Sequence, residues 1–325
     1  MEKRFVPRPR HIFPQQALRI MEALSLALAG SWLSCIAAAS ATSALYPTVL
    51  VPLTNTLQKR KRSINKYSST QKTIPPDYWL VVLQSILVLT CMLTLLFRFM
   101  ATSPHVRWNS DHMTLINTAG AFVTSVFVRE FINYFVHRLE HSRLFYKLVH
   151  ERHHRMTPCH GLYDGLYSSP IDVVHSIVII FIPIVILPSI HVLSAMSYIV
   201  IMGYLGFVVN HCGREMRLVV WLPRGWSCVL YDNQPHDDHH TYRRGNYADV
   251  LPVLDRIFGT EIVVSNRGEL PAQKRWRSLR QEGIPKVVPM TGTRRWLSVL
   301  ASLLEQHPDS CMDEAQEDAC DEKRN

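Results

Sequence analysis

The sequence predicts an all-α protein: a polytopic membrane helical bundle of about four spans with a cytosolic, histidine-rich helical cap. Three observations point there. Long apolar tracts occupy residues 18–53, 78–100, 113–136 and 171–209 of a 325-residue chain that is 47% hydrophobic; a helix needs about 20 such residues to cross a bilayer. Sixteen histidines are present, and half of them fall in three short boxes whose i, i+3 and i+4 spacings place side chains on one helical face. The formal net charge is +9, and Lys and Arg cluster in short runs beside the apolar tracts. That placement fits the cytoplasmic face of a membrane, where basic flanks meet anionic lipid. Nucleic acid is the other partner a basic chain suggests, yet no RNA-recognition, zinc-finger or helix-turn-helix signature accompanies the charge.

Taken in order, residues 1–17 are a basic N-terminus with Lys3, Arg4, Arg8 and Arg10. The apolar region beyond is too long for a cleaved leader, so a retained anchor is expected. Leu18 to Leu53 exceeds one span and has basic residues on both sides, including Lys59 to Lys72 beyond it, which favours a hairpin or re-entrant element. Tyr78 to Met100 is the clearest membrane helix. Met113 to Val136 is apolar but interrupted by Asn117, Arg129 and Glu130; charges within a span are costly, so Arg129 and Glu130 are expected at the interface. Ile171 to Val209 is broken by Pro183 and Pro188 and reads as two spans joined by a short turn. That hairpin returns the chain to the side it left, which lets the boxes meet. Gly203 and Gly206 within it read as helix-packing glycines. His211 to Gly259 reads as soluble, with Trp221, Trp226 and Tyr231 set against the headgroups.

Four regions result: 1–17; the N-terminal membrane spans and basic loop, 18–112; a catalytic domain, 113–262; and a polar tail, 263–325. The tail holds a basic stretch at 273–286, a short amphipathic helix at 294–306 and an acidic end expected to be disordered. Seven scattered cysteines without a C-x-x-C pair argue against a disulfide framework or structural zinc, and for a reducing compartment.

The boxes are His137-Arg138-Leu139-Glu140-His141, His150-Glu151-Arg152-His153-His154 and His236-Asp237-Asp238-His239-His240. Neutral imidazole is a ligand for iron, zinc and copper. With His211, these boxes supply donors for about two metal ions with positions left open for oxygen or water. The isolated His105, His112, His175 and His191 read as ordinary core side chains. A zinc metallopeptidase is the alternative: His150-Glu151-x-x-His154 matches the H-E-x-x-H pattern with Glu151 as base, and His137 to His141 matches the inverted form. It leaves the His236–His240 box without a purpose.

The boxes, in this order and around a membrane hairpin, resemble the fatty acid hydroxylase/sterol desaturase superfamily, whose members include C-4 methylsterol oxidases, sterol C-5 desaturases, cholesterol 25-hydroxylases and sphingoid-base hydroxylases. Asn210-His211-Cys212-Gly213, Asn246-Tyr247 and Leu254-Asp255-Arg256-Ile257-Phe258-Gly259-Thr260 add to the likeness, which covers roughly residues 115–262. Ser169-Pro170-Ile171-Asp172 departs from the family's His-Pro-x-Glu, and Leu254 and Arg214 depart from its usual Trp and aromatic residue. The resemblance implies a membrane di-iron oxygenase that hydroxylates or desaturates a sterol-like or long-chain lipid. It implies two iron ions held by His137, His141, His150, His153, His154, His211, His236, His239 and His240, with O2 as co-substrate. Electrons would come from NAD(P)H through a redox partner such as cytochrome b5, at the endoplasmic reticulum membrane with the histidines facing the cytosol. Glu130, Glu140, Asp237, Asp238 and above all Asp255 are the acidic candidates for orienting the rings through their other nitrogen.

Overall fold

The computed structural model describes residues 15–58, 74–108, 114–156, 161, 163–221 and 227–262. The expectations for residues 1–14, for Lys59 to Lys72, for His112 and Trp226 and for the tail from 263 onward lie outside them.

The chain opens with α1 (Gln15–Gly30). Ser31 is extended (φ −145°, ψ 128°) and its side chain accepts from Ser34 N, starting α2 (Trp32–Leu45) as an N-cap. Helical structure then continues through a π turn at Tyr46–Leu50, which contains Pro47, into α3 (Val51–Gln58). The expected hairpin is therefore a 16-residue helix followed, after one break, by a span-length run. Arg98 joins the two parts. Its guanidinium donates to Leu28 O and Ala29 O, carbonyls at the end of α1, and lies 5.4 Å from the Trp32 ring.

α4 (Tyr78–Thr102) is the clear membrane helix the sequence indicates. Trp32–Leu57, Tyr78–Thr102 and Val192–Val209 are each long and apolar enough to cross a membrane, and Pro170–Ile186 is a shorter apolar helix. Leu80, Leu83 and Leu87 on α4 point outward, as lipid-facing side chains do, while Val81, Leu93, Phe97 and Met100 fill the core. A two-residue strand, β1 (Val106–Arg107), follows.

α5 (Leu115–Glu140) has the length of a span, at about 1.5 Å per residue, and Thr114 caps it by accepting from Asn117 N. It is not among the helices apolar enough to cross. Its second half is polar and buried: Arg129, Glu130, Asn133 and His137 are each under a tenth exposed. The expectation that Arg129 and Glu130 sit at the interface is thus corrected. They lie inside because they have partners there: Arg129 pairs with Glu130 and Asp249, and Glu130 accepts from Val250 N (2.9 Å) and Leu251 N (3.0 Å).

The cap's first part is α6 (Arg143–Phe145), a π turn at Tyr146–His150 and α7 (Glu151–His154). The helix pair follows as α8 (Pro170–Ile186), β2 (Ile190–His191), which pairs in parallel with β1, and α9 (Val192–Gly203), continued by a π turn at Tyr204–Val209. Pro183 does not break the hairpin; it lies inside the last turn of α8, and the break comes at extended Leu187, before Pro188. α4 packs on α2 and α8, and α5 packs on α8 and α9.

The region after His211 holds an antiparallel hairpin, β3 (Arg217–Trp221) and β4 (Ser227–Asp232), that the sequence pattern did not reveal. Tyr231, expected at the headgroups, is buried and donates to Asn210 Oδ1 at 2.5 Å. α10 (Gln234–Tyr242) carries the third box, and α11 (Val253–Phe258) carries the closing motif. Phe258 stacks on Tyr134 of α5 at 5.1 Å, and Tyr134 Oη lies 2.9 Å from Thr260 Oγ1, which fastens the end of the domain to α5.

Candidate metal centre

The three boxes reach one place by three local routes. His137 lies in the last turn of α5 and His141 is its C-cap, so their rings stand one above the other. The π turn at Tyr146–His150 runs directly into α7, so His150 and the adjacent pair His153-His154 all face inward. α10 starts with Asn233 as N-cap and Pro235 in its first turn, and aims His236, His239 and His240 at the same region. His211 arrives from the turn after the Tyr204–Val209 segment. The backbone of Gly165 presses against it: a Cβ there would come within 2.3 Å of Phe207 O and 2.7 Å of His211 Nδ1, so only glycine fits.

All nine rings are buried, and they divide into two groups that the linear sequence does not show. His137, His141, His150, His154 and His239 form the first, and His153, His211, His236 and His240 the second; within each, the ligand atoms lie within 4.8 Å of one another. Neighbouring His153 and His154 serve different groups, as do His239 and His240. In the first group, 3.1 Å separates Nε2 of His137 from that of His150, His141 from His154, and His154 from His239. In the second, His211 Nε2 lies 3.1 Å from those of His153, His236 and His240, and His236 lies 3.1 Å from His240. Donors about 2.1 Å from a shared ion stand about 3.0 Å apart when perpendicular and about 3.4 Å apart when tetrahedral. The observed spacing falls between these.

The other ring nitrogens show which protons are present. His137 Nδ1 donates to Tyr247 O at 2.8 Å, and His239 Nδ1 donates to Gly245 O at 2.8 Å. A carbonyl only accepts, so both protons sit on Nδ1 and the Nε2 lone pairs are bare. A bare lone pair can stand 3.1 Å from a second ring nitrogen only where that ring turns an N–H toward it or a cation lies between them. Five buried imidazole donors in one group and four in the other, each set converging on one place, fit a metal ion.

Electrostatics agree. Burial, followed by repulsion from neighbouring rings, holds His153, His154, His236, His239 and His240 well below the ordinary imidazole range. They are neutral, which is the form that binds metal. His150 is the exception. Burial opposes its charge, but Asp172 and then Glu140 outweigh it and push the value up; these carboxylates call for positive charge at this spot.

The residues that orient the rings differ in part from those expected. Asp172 Oδ2 lies 3.3 Å from His150 Nδ1, Asp249 Oδ1 lies 3.6 Å from His236 Nδ1, and Ser168 Oγ lies 3.0 Å from His153 Nδ1. Asp249 and Ser168 were not singled out from the sequence, and Asp172 was noted only as a departure. Glu140 lies 3.9 Å from His150 Nδ1, but its nearer partner is His175, at 2.7 Å. His175 is therefore not the ordinary core residue expected. His105 is exposed, and His191 caps α9 by accepting from Leu193 N. Asp255 acts at one remove: it accepts from Tyr247 N (2.8 Å), Ala248 N (2.9 Å) and Thr260 Oγ1 (2.7 Å), which fixes the carbonyl that holds His137. Burial still pushes its carboxyl up to about 6. Glu130 likewise acts through the backbone of Val250 and Leu251. Asp237 and Asp238 are buried in α10, with Asp238 3.5 Å from Gln234 Nε2.

Glu151, the base of the peptidase alternative, points outward to Arg155 at 3.5 Å, while His150 and His154 share their group with three further histidines. That arrangement speaks against H-E-x-x-H chemistry.

Two cavities lie near the groups, and only the first is lined by their rings. A polar one, about 70 Å³, is lined by rings of both groups together with Arg129, Asn133 and Asp172. An apolar one, about 150 Å³, lies among α2, α4, α8 and α9. Ile180 and Phe207 line both.

Residues 122–260, from within α5 to just past α11, match the fatty acid hydroxylase family, and this segment contains all nine histidines. Over 156 residues the chain is 30% identical to methylsterol monooxygenase 1 of Rattus norvegicus, covering 48% of this chain and 49% of that one. It is 29% identical over 152 residues to a very-long-chain aldehyde decarbonylase of Oryza sativa subsp. indica, covering 44% and 24%. It is 31% identical over 137 residues to fatty acid hydroxylase domain-containing protein 2 of Homo sapiens, covering 41% and 36%. The chain thus spans half the length or less of these curated relatives. No solved structure gives a significant match.

Proposed function

We propose, from the match of residues 122–260 to the fatty acid hydroxylase family, that the chain is a membrane-bound di-iron oxygenase that oxidises a C–H bond of a lipid, most plainly by hydroxylation. The observation that carries this reading is the pair of converging imidazole groups, whose rings line a polar cavity that shares Ile180 and Phe207 with an apolar cavity in the helical bundle. His137, His141, His150, His154 and His239 would hold one iron, and His153, His211, His236 and His240 the other. Iron bound there supplies the activation of dioxygen that oxidation of an unactivated C–H bond requires.

The chain's own residues do the rest. Burial keeps the rings neutral, and Asp172, Asp249, Ser168 and two backbone carbonyls set their directions. The apolar cavity holds the lipid and keeps water from it. The substrate is sterol-like or a long fatty-acyl or sphingoid chain, in keeping with relatives named for a methylsterol and a very-long-chain aldehyde. Reducing equivalents come from NAD(P)H through cytochrome b5 or a similar donor, and the cap faces the cytosol from the endoplasmic reticulum.

Lipidomics under oxygen-18 gas tests the reading in cells expressing the chain or its His239→Ala variant. A lipid that gains one heavy oxygen only with the intact chain supports it. An equal yield from the variant, at equal membrane abundance, rejects it.

A further inference from the structure

The apolar cavity is bounded by Leu45 and Leu50 on the α2 side, Leu93 of α4, Ile177 of α8, and Ile199 and Gly203 of α9. Gly203 has no ordinary reason to be glycine. Its φ is not positive, and a Cβ built on it meets no atom within 4 Å, so no neighbouring helix needs it small. The helix-packing reading made from sequence is therefore corrected at this position. Glycine inside a helix costs roughly 0.5–1 kcal/mol relative to alanine. Here it leaves open space in the wall of a cavity. Phe207 stands four residues further on, about one helical turn, where the apolar cavity meets the polar one.

We propose that this cavity is the binding site for the unreactive apolar body of the substrate, and that Gly203 is the residue that sets how much of that body fits. The inference rests on the oxygenase reading only for the identity of the occupant as substrate. The reacting carbon lies past Ile180 and Phe207, on the side of the histidines, and the rest of the lipid lies along Gly203. The wall is almost wholly hydrocarbon, and two of its three hydroxyls are already engaged: Thr42 Oγ1 donates to Ala38 O at 2.8 Å, and Tyr204 Oη lies 2.7 Å from Thr54 Oγ1. The buried Tyr46 Oη has no hydrogen-bond partner among the described residues. A fatty chain and a sterol ring system share the chemistry this wall accepts.

The test uses the full-length, iron-loaded protein in nanodiscs, with two photoactivatable probes: a palmitic acid with a mid-chain diazirine, and a diazirine-bearing cholesterol. Cross-linked peptides are mapped in wild type, Gly203→Ala and Gly203→Leu. In wild type one probe or both should label the segments around Leu93 and Ile177, and the probe that does so names the lipid class. Gly203→Leu should reduce that labelling at least tenfold, and Gly203→Ala less, with iron content unchanged. Labelling of Gly203→Leu within twofold of wild type, or wild-type labelling confined to other segments, overturns the proposal. Loss of labelling in a protein that never holds iron supports the cavity assignment while defeating the oxygenase reading, so the two failures are distinct.

Discussion

The two imidazole groups are built differently. The first has five donors, two of them held by the backbone carbonyls of Tyr247 and Gly245. The second has four, of which the Ser168 hydroxyl holds His153, while Asp249 Oδ1 stands 3.6 Å from His236 Nδ1. The polar cavity touches three rings of the second group (His153, His211, His236) and two of the first (His137, His150). The difference teaches that the sites are not equivalent. The first has more donors and two carbonyl-held rings, and the second is poorer in donors and presents more of its rings to the polar cavity.

The strongest way to break this comparison is to remove one donor from each side of the shared segment. His153→Ala and His154→Ala should each lower oxygenation by more than the ~10–100-fold typical of losing an outer partner. Turnover assays should find both alike, although one lesion lies in each group. Removing a buried charge partner comes next. Asp249→Ala leaves Arg129 with Glu130 alone in a buried setting, which should cost about 3–5 kcal/mol and show as a marked loss of thermal stability. Asp172→Asn, which keeps the side chain's shape but removes the charge beside His150, should weaken iron affinity about 10–100-fold, on the first group alone, as read by chelator competition. Smallest is Tyr134→Phe. Losing its contact to Thr260 should cost about 1 kcal/mol, and a shift several times larger would mean that α11 anchors more than the end of the domain.

Acid should separate the cap from the bundle. The buried rings have folded values below the ordinary ~6.5, so beneath that pH the unfolded chain binds more protons and stability falls as pH falls. Asp255 works the other way. Its raised value of about 6 means that the folded form takes up the proton first, which favours folding as pH falls toward about 4. His150, raised as well, adds to Asp255. The lowered rings of His153, His154, His236, His239 and His240 outnumber these two, so the metal-free cap should loosen between pH 6.5 and 5. Hydrogen exchange corrected for intrinsic rates would show this, with α4 unaffected. A cap equally protected at both pH values would contradict it.

Much of the fold was legible because its signals are local. Apolar length gave α4 and the α8–α9 pair, and i, i+3, i+4 spacing gave the inward-facing boxes. Arg129 and Glu130 misled because a charge in a helix shows its cost but not its partner, and Asp249 lies 120 residues away. The division of His153 from His154 could not be read either. Adjacent residues look like one box in sequence, and only the arrival of α5 on one side and the His211 turn on the other assigns them to different groups. Asp172 was within reach, four positions from Ser168 in a stretch already marked as unusual. The β3–β4 hairpin was not: it is short and bulged at Leu218/Val219, so alternation never becomes visible.

The central claim is that each group holds one iron. Elemental mass spectrometry and Mössbauer spectra of iron-57-loaded wild type, His153→Ala and His154→Ala test it most directly. Two irons per chain in wild type, close to one in each variant, and different spectra for the two remaining irons are the expected result. Two irons retained in either variant, or a single iron in wild type lost on either change, would contradict it.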